Sequence, residues 1–268
     1  MSTLGPAARI AAVPASPLEE NLAAVHERIA AAARAAGRDP SSVRLIAVSK
    51  TWPAEAVRAV AALGQVDFGE NRVQELLGKA DELADLPLRW HAIGQLQRNK
   101  AAAVARLGAV VHSVDRSSLA AALARAAETA GHRLDVLVQV DLGGPAGEEA
   151  ARGGATPADV PALADAIAGL AALRLRGLMA VAPRGEDPAP AFARLAALSE
   201  RLRADHPDAV ELSAGMSGDL DEAIAAGATL VRVGTAIFGD RALHSSEDRG
   251  IPTTRVTPAP RATDDPGV

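Results

Sequence analysis

Apolar and polar positions alternate along this chain in short blocks that change period. Apolar runs of strand length occur at Leu45–Val48, Gln65–Phe68, Leu88–Ile93, Ala109–Val114, Asp135–Val140, Leu173–Met179, Val210–Leu212 and Thr229–Val233. Several read as continuous Val/Ile/Leu rather than alternating, as expected for strands covered on both faces of a parallel sheet. Between them lie Ala/Leu/Arg/Glu-rich stretches at helical spacing, including Ala54–Ala62, Val73–Leu83, Ser117–Ala130 and Ala189–Ala204. Eight strand candidates alternating with helices predict a single (β/α)8 TIM barrel, with a doubly wound open sheet as the alternative. An extra helix precedes the first strand. Ser16-Pro17-Leu18-Glu19 supplies a capping serine, a proline suited to the first turn and a glutamate three residues on. Its apolar positions Leu22, Val25 and Ile29 run towards a stop at Gly37 and Pro40.

The ends of the chain differ from this pattern. Residues 1–15 read as a loose Ala/Pro-rich extension, 16–243 as the barrel, and 244–268 as a polar tail with little to bury, expected to be disordered. Leu142 to Val160, rich in glycine, reads as a long loop after the fifth strand, of the kind that often carries a lid or binding role.

Composition narrows the chemistry. With 268 residues and 49% hydrophobic content the chain buries a full core. A net charge of −5 and 2% aromatics argue against nucleic acid or an anionic membrane as partner. The chain has no cysteine, and its six histidines show no pair at ligand spacing, so no metal site is expected. No apolar run reaches a membrane span and the start lacks the form of a signal peptide, so the expected location is cytoplasmic.

Among 28 Lys plus Arg only Lys50, Lys79 and Lys100 are lysines. Arginine cannot serve as an amine nucleophile, whereas a lysine at a strand end can. Lys50 follows the Leu45–Val48 run directly, at the rim where barrels keep their active sites. The plain alternative is a lysine that snorkels or pairs with a carboxylate. Strand ends seven and eight carry Gly215-Met216-Ser217-Gly218-Asp219 and Gly234-Thr235. Glycines there let backbone N–H groups approach an anion, and Ser217 and Thr235 add hydroxyls. The same two residues could simply cap helices. Arg232 alternates with Val231 and Val233, so it should point into the barrel mouth and need a partner there, either a ligand or an acid such as Glu70. An amine, a phosphate cradle and an arginine between them suit pyridoxal phosphate.

These residues lie in the runs LIAVSKTWP, FGENRVQE, WHAIGQLQRNK, VHSVDR, GLMAVAP and LSAGMSGDLDEAIAAGATLVRVGTAIFG. From about Leu18 to Arg241 the chain resembles the pyridoxal phosphate homeostasis protein family, also called the proline synthetase co-transcribed homologues. The resemblance implies a single barrel like the N-terminal domain of alanine racemases, binding pyridoxal phosphate as an imine on Lys50. It assigns the phosphate and ring nitrogen to the GMS and RxGT runs, Met216, Ser217, Arg232, Gly234 and Thr235, and puts Asn71 and His91 on the pocket wall. It departs from the usual pattern at Arg72, Ala214 and Arg152, where relatives often carry Tyr, Met and Lys. The implied role is holding, buffering or delivering the cofactor, without catalysis, as a monomer that meets cofactor-requiring apoenzymes. The alternative is an amino-acid racemase of the alanine racemase type. That chemistry calls for a second base, usually tyrosine from an added β-domain, and this chain has no tyrosine and nothing expected after Arg241 to form such a domain. A lysine aldolase on the same fold is a third possibility.

Overall fold

Ser16 opens the first helix, its hydroxyl accepting from the Glu19 N–H at 3.3 Å, with Pro17 at the first helical position. The computed structural model of the protein describes residues 16–143 and 153–239. The proposed N-terminal extension, the C-terminal tail and residues 144–152 of the long fifth loop lie outside them. Helix α1 (Pro17–Ala35) is followed by β1 (Arg44–Val48), α2 (Ala54–Ala62), β2 (Asp67–Glu70), α3 (Val73–Glu82), β3 (Arg89–Ala92), α4 (Ala101–Leu107) and β4 (Val110–Val114). The second half runs α5 (Ser117–Ala130), β5 (Leu134–Gln139), α6 (Val160–Ala168), β6 (Leu173–Met179), α7 (Pro188–Asp205), β7 (Glu211–Ser213), α8 (Leu220–Ala225), β8 (Leu230–Val233) and α9 (Thr235–Phe238).

All eight strands are parallel, and β1 pairs with β2 on one side and β8 on the other, which closes the sheet and rules out the open alternative. Two apolar regions result. One lies between the sheet and its helices, with Leu45, Ala47, Phe68, Trp90, Val136, Leu178 and Val231 meeting Val57, Leu76, Leu123, Ile167 and Leu195. The other, Ile46, Val110, Leu137, Met179 and Leu230, is a separate cluster. Its members take the opposite strand parity and fill the inside of the barrel.

All eight strands overlap the expected runs, most to within one residue at each end. The second and seventh begin later than hydropathy suggested, at Asp67 and Glu211. Gln65 is not in the strand: its side-chain amide donates to the carbonyls of Leu45 and Asp67. Val210 is 47% exposed. In both cases a charged residue takes the first inward position at the barrel floor. Asp67 faces His91 and Arg89, and Glu211 accepts from Arg44 at 2.5 Å and lies 3.5 Å from Arg176. The long fifth loop is also less free than expected. Ala155 bridges to Val140, with Asp141 N–H to Ala155 O at 2.9 Å and Ala155 N–H to Gln139 O at 2.8 Å.

One glycine is required by the closure. The β5–β6 register skips Arg176, and Gly177 follows with φ of +147°. A Cβ on Gly177 would lie 1.8 Å from the Glu211 carbonyl oxygen of β7, a backbone atom that cannot move aside. Gly177→Ala is therefore expected to destabilise the fold by about 3 kcal/mol or more, since backbone conformation and space are both unavailable. A shift of the urea midpoint to match is the check, and an unchanged midpoint would contradict this account of the β6–β7 contact.

Candidate functional site

The mouth of the barrel at the C-terminal strand ends opens into a cavity of about 610 Å³. Its wall includes Val48 and Lys50 after β1, Asn71 after β2, Ile93 to Gln95 after β3, Gln139 and Met179, Met216 to Asp219 after β7, and Arg232, Gly234 and Thr235 from β8 and its turn. Seven of the eight expected residues thus meet there: Lys50, Asn71, Met216, Ser217, Arg232, Gly234 and Thr235. His91 does not line it. Inward positions on β3 run Arg89, His91, Ile93, and Ile93 takes the rim, leaving His91 one layer deeper and 1% exposed. The parity was legible and the depth was not.

Lys50 is exposed at the end of a tightly held turn. Thr51 has φ of +69°, in the left-handed region that threonine rarely occupies. The turn is tied from behind by α3. The Thr51 N–H donates to Glu75 at 2.7 Å, and the Lys79 ammonium donates to the Ser49 carbonyl at 2.7 Å and to Glu70 at 2.5 Å. Ser49 adds a hydroxyl bond to the same Glu70 oxygen at 2.7 Å. Burial raises the Glu70 carboxyl, opposed by the bonds from Lys79 and Ser49. Glu70 is thus the partner of Lys79, not of Arg232. Its other oxygen, Oε2, is buried without a hydrogen bond, so removing Lys79 would leave the carboxylate unpaired. Of the three lysines only Lys50 reaches the cavity. Lys79 is spent on the ion pair beneath it, and Lys100 sits outside the wall.

Asn71 is held by close backbone contact. A Cβ on Gly94 would lie 2.2 Å from the Asn71 carbonyl oxygen, so only glycine lets the β3 turn pass the β2 turn here. Across the mouth, the N–H groups of Ser217 and Gly218 donate to no other described residue, and the Ser217 hydroxyl accepts from Ala236 N–H at 3.4 Å, joining the two glycine-bearing turns. The first helix supports this corner from outside, which hydropathy alone did not signal. Arg28 donates to the Ser217 carbonyl at 2.6 Å and pairs with Asp221 at 2.8 Å, while Asn21 donates to the Ile237 carbonyl at 3.0 Å. Among the described residues the side-chain bonds of Arg28 and Asn21 reach groups more than 180 positions away, so local spacing carries no trace of them.

Arg232 is 4% exposed and lies between the two walls. Its Nη1 donates to the Ser213 hydroxyl at 2.8 Å and its Nη2 to the Ala180 carbonyl at 2.9 Å. Burial lowers it to about 10, with Asp219 acting the other way, so it remains a cation at neutral pH. Below it His112 meets Ser213 at 3.0 Å and His91 at 2.9 Å, and His91 meets Asp67 at 2.8 Å. Burial would raise the Asp67 carboxyl, but the hydrogen bond from His91 and the neighbouring His91, Arg89 and Arg44 groups hold it below the usual range. No group of three or more His, Cys, Asp or Glu among the described residues could hold a metal ion. No helix among them is long and apolar enough to cross a membrane.

The barrel and its rim are those of an alanine racemase N-terminal domain. The family model of that description, Alanine racemase, N-terminal domain, matches residues 21–242. Within this class the chain belongs to the pyridoxal phosphate homeostasis protein family. It is 50% identical over 226 residues to the Pseudomonas aeruginosa protein of that name, across 84% of this chain and 96% of the relative. It is 42% identical over 249 residues to the Mycobacterium tuberculosis one, across 86% and 95%. Among solved structures it is similar to PipY of Synechococcus elongatus with PLP bound, at 40% identity and a TM-score of 0.73, covering 83% of this chain and all of that one.

The buried imidazole below Arg232 sets a pH dependence. Burial, aided by His91, Arg232 and Arg44, holds His112 well below its ordinary value of 6.5. The unfolded chain therefore takes up a proton that the folded chain refuses. Stability should be full above about pH 6.5 and fall as pH drops below it, by up to ~1.4 kcal/mol per pH unit for this one group. Burial of His26 acts in the same direction. Denaturant melts of the wild type and His112→Gln between pH 7.5 and 5 are the check. The variant should show the flatter profile, and parallel profiles would contradict the assignment.

Proposed function

We propose that this chain binds pyridoxal phosphate reversibly at the barrel mouth and acts in its homeostasis, holding the cofactor and releasing it to the apoenzymes that need it. The observation that carries this reading is the cavity's composition: one lysine, Lys50, on one wall, the Ser217–Gly218 and Gly234–Thr235 turns on another, and Arg232 between them. The same cofactor is bound in PipY, at 40% identity.

The residues fit the group. Ser217 and Gly218 offer N–H groups with no other described partner, and the Ser217 and Thr235 hydroxyls add donors for a phosphate. Bound pyridoxal phosphate supplies an aldehyde that condenses reversibly with an amine. Lys50 supplies that amine, presented by a turn whose strain is held by Glu75 and Lys79. Arg232 would hold the ring nitrogen. A guanidinium only donates, so it favours an unprotonated nitrogen and leaves the ring a weak electron sink, which suits retention better than turnover. Asn71 and Met216 complete the wall. His91, bonded to Asp67 and His112, belongs to the support of Arg232. The binding unit is the barrel over residues 16–243. Every proposed contact comes from one chain, so a monomer suffices.

Racemisation is the weaker reading. It needs a second base across the ring. The chain contains no tyrosine, and the histidine that might have replaced one is buried below the cavity.

Borohydride treatment of the cofactor-loaded protein followed by peptide mass analysis should fix the label on Lys50, and Lys50→Ala should lose the visible absorbance of the bound cofactor while staying folded. A label confined to Lys79 or Lys100 would overturn the assignment. Changing Ser217 and Thr235 together to alanine should weaken binding by about 1–3 kcal/mol per lost charge-assisted bond. Affinity equal to wild type in a titration would move the phosphate elsewhere.

A further inference from the structure

A line of polar side chains runs through the inside of the barrel from floor to mouth, in contact at each step. Asp67 sits at the start of β2, His91 on β3, His112 on β4, Ser213 on β7 and Arg232 on β8, with successive separations of 2.8, 2.9, 3.0 and 2.8 Å. His91, His112 and Ser213 are each 1% exposed or less. The fold had an apolar solution available at this depth, since Ile46, Val110, Leu137, Met179 and Leu230 fill the rest of the same interior. Burying four polar groups instead, with Asp67 half-buried at the floor, is unfavourable unless every donor and acceptor is matched.

The two ends decide how they are matched. Asp67, held ionised, only accepts, so His91 Nε2 must carry the proton between them. Arg232 only donates, so the Ser213 oxygen accepts from it. With His91 neutral, its bare Nδ1 accepts from His112 Nε2–H. The bare Nδ1 of His112 then accepts from the Ser213 hydroxyl. Every bond is made with both imidazoles neutral, and every proton points towards the floor. An extra proton on either ring would send His112 Nδ1–H to the Ser213 oxygen, which would then receive two donors and have no described acceptor for its own hydrogen.

We infer that Asp67, His91, His112 and Ser213 form one directional hydrogen-bonded chain whose role is to aim Arg232 into the cavity, so that Ser213 and His112 are positioning residues for the guanidinium. Two contacts on different nitrogens, Ser213 and the Ala180 carbonyl, fix the plane of this flat group. With only one it could turn about the remaining bond. Ser213 accepts from Arg232 because His112 takes its hydrogen, and His112 can do so because His91 leaves it the right nitrogen. The aiming role rests on the proposed function, since it concerns the group Arg232 is to meet. The direction of the chain does not.

The test has two arms. In cofactor-free protein with 15N-labelled histidine, nuclear magnetic resonance should find His91 and His112 neutral and protonated on Nε2. Ser213→Ala should move the His112 Nδ1 resonance and leave His91 on the same tautomer. A His112 protonated on Nδ1, or a Nδ1 signal unmoved by Ser213→Ala, overturns the chain. In protein loaded with pyridoxal phosphate, Ser213→Ala should shift the visible band of the bound cofactor and weaken its affinity about tenfold, with Ser213→Thr restoring both. A Ser213→Ala spectrum and affinity equal to wild type overturns the aiming role. Wild-type protein that takes up no pyridoxal phosphate yet shows the expected tautomers overturns the functional reading, and the aiming role with it, while supporting the chain.

Discussion

The pairing of β1 with β8 brings the chemistry together. Ile46 lies opposite Arg232 and Ala47 opposite Val233, across more than 180 residues of chain. Strand parity makes Ile46, Val48 and Lys50 successive inward positions on one side of this seam, with Leu230 and Arg232 on the other. An amine and a guanidinium therefore share one rim only if the sheet closes at this register. A slip of one residue would turn Arg232 into the apolar layer between sheet and helices, where no acceptor waits for it. Barrel closure and the assembly of the cavity are in this respect one event.

Charge burial is the counterpart of that closure. The barrel interior holds a layer of aliphatic side chains and, through it, a polar path, while a second buried pair, Glu70 and Lys79, sits just outside the rim under Lys50. Neither is the cheapest filling of its space, because buried ions and imidazoles usually cost more than apolar groups of like volume. Both lie directly behind a residue that faces the cavity. Glu70 and Lys79 hold the Ser49–Thr51 turn, and His112 with Ser213 holds Arg232. Their common effect is to hold cavity-facing groups still, which apolar packing does poorly for a long flexible side chain.

Much of this was readable from the chain. Hydropathy located all eight strands because each is a short buried run, and the cavity wall followed from asking which polar residues come next. The misplaced starts of β2 and β7 have one cause. Gln65 and Val210 look like strand residues in isolation, whereas Asp67 and Glu211 look like loop, and barrel-floor partners such as Arg44 reverse that preference. His91 was read as pocket lining because its direction is inward. Its depth depends on the strand's stagger around the barrel, which a linear pattern does not encode. Arg28, Asn21 and Lys79 were invisible as site residues for a simpler reason. Each looks like a surface residue of an amphipathic helix, and its role exists only through a partner on another element.

The use of arginine almost everywhere and lysine at only three places now has a physical sense. A site that depends on one amine forming a reversible bond is best served when no competing amine is nearby and unprotected. Lys79 is buried, with its ammonium bonded to Glu70 and to the Ser49 carbonyl, so acting as a nucleophile would break the pair that supports the Lys50 turn. The cations that shape the cavity and its surroundings, Arg28, Arg184 and Arg232, are guanidinium groups and not amines. Under the proposed function, selectivity for Lys50 would rest less on making that one amine unusual than on withholding Lys79 and Lys100 from the cavity.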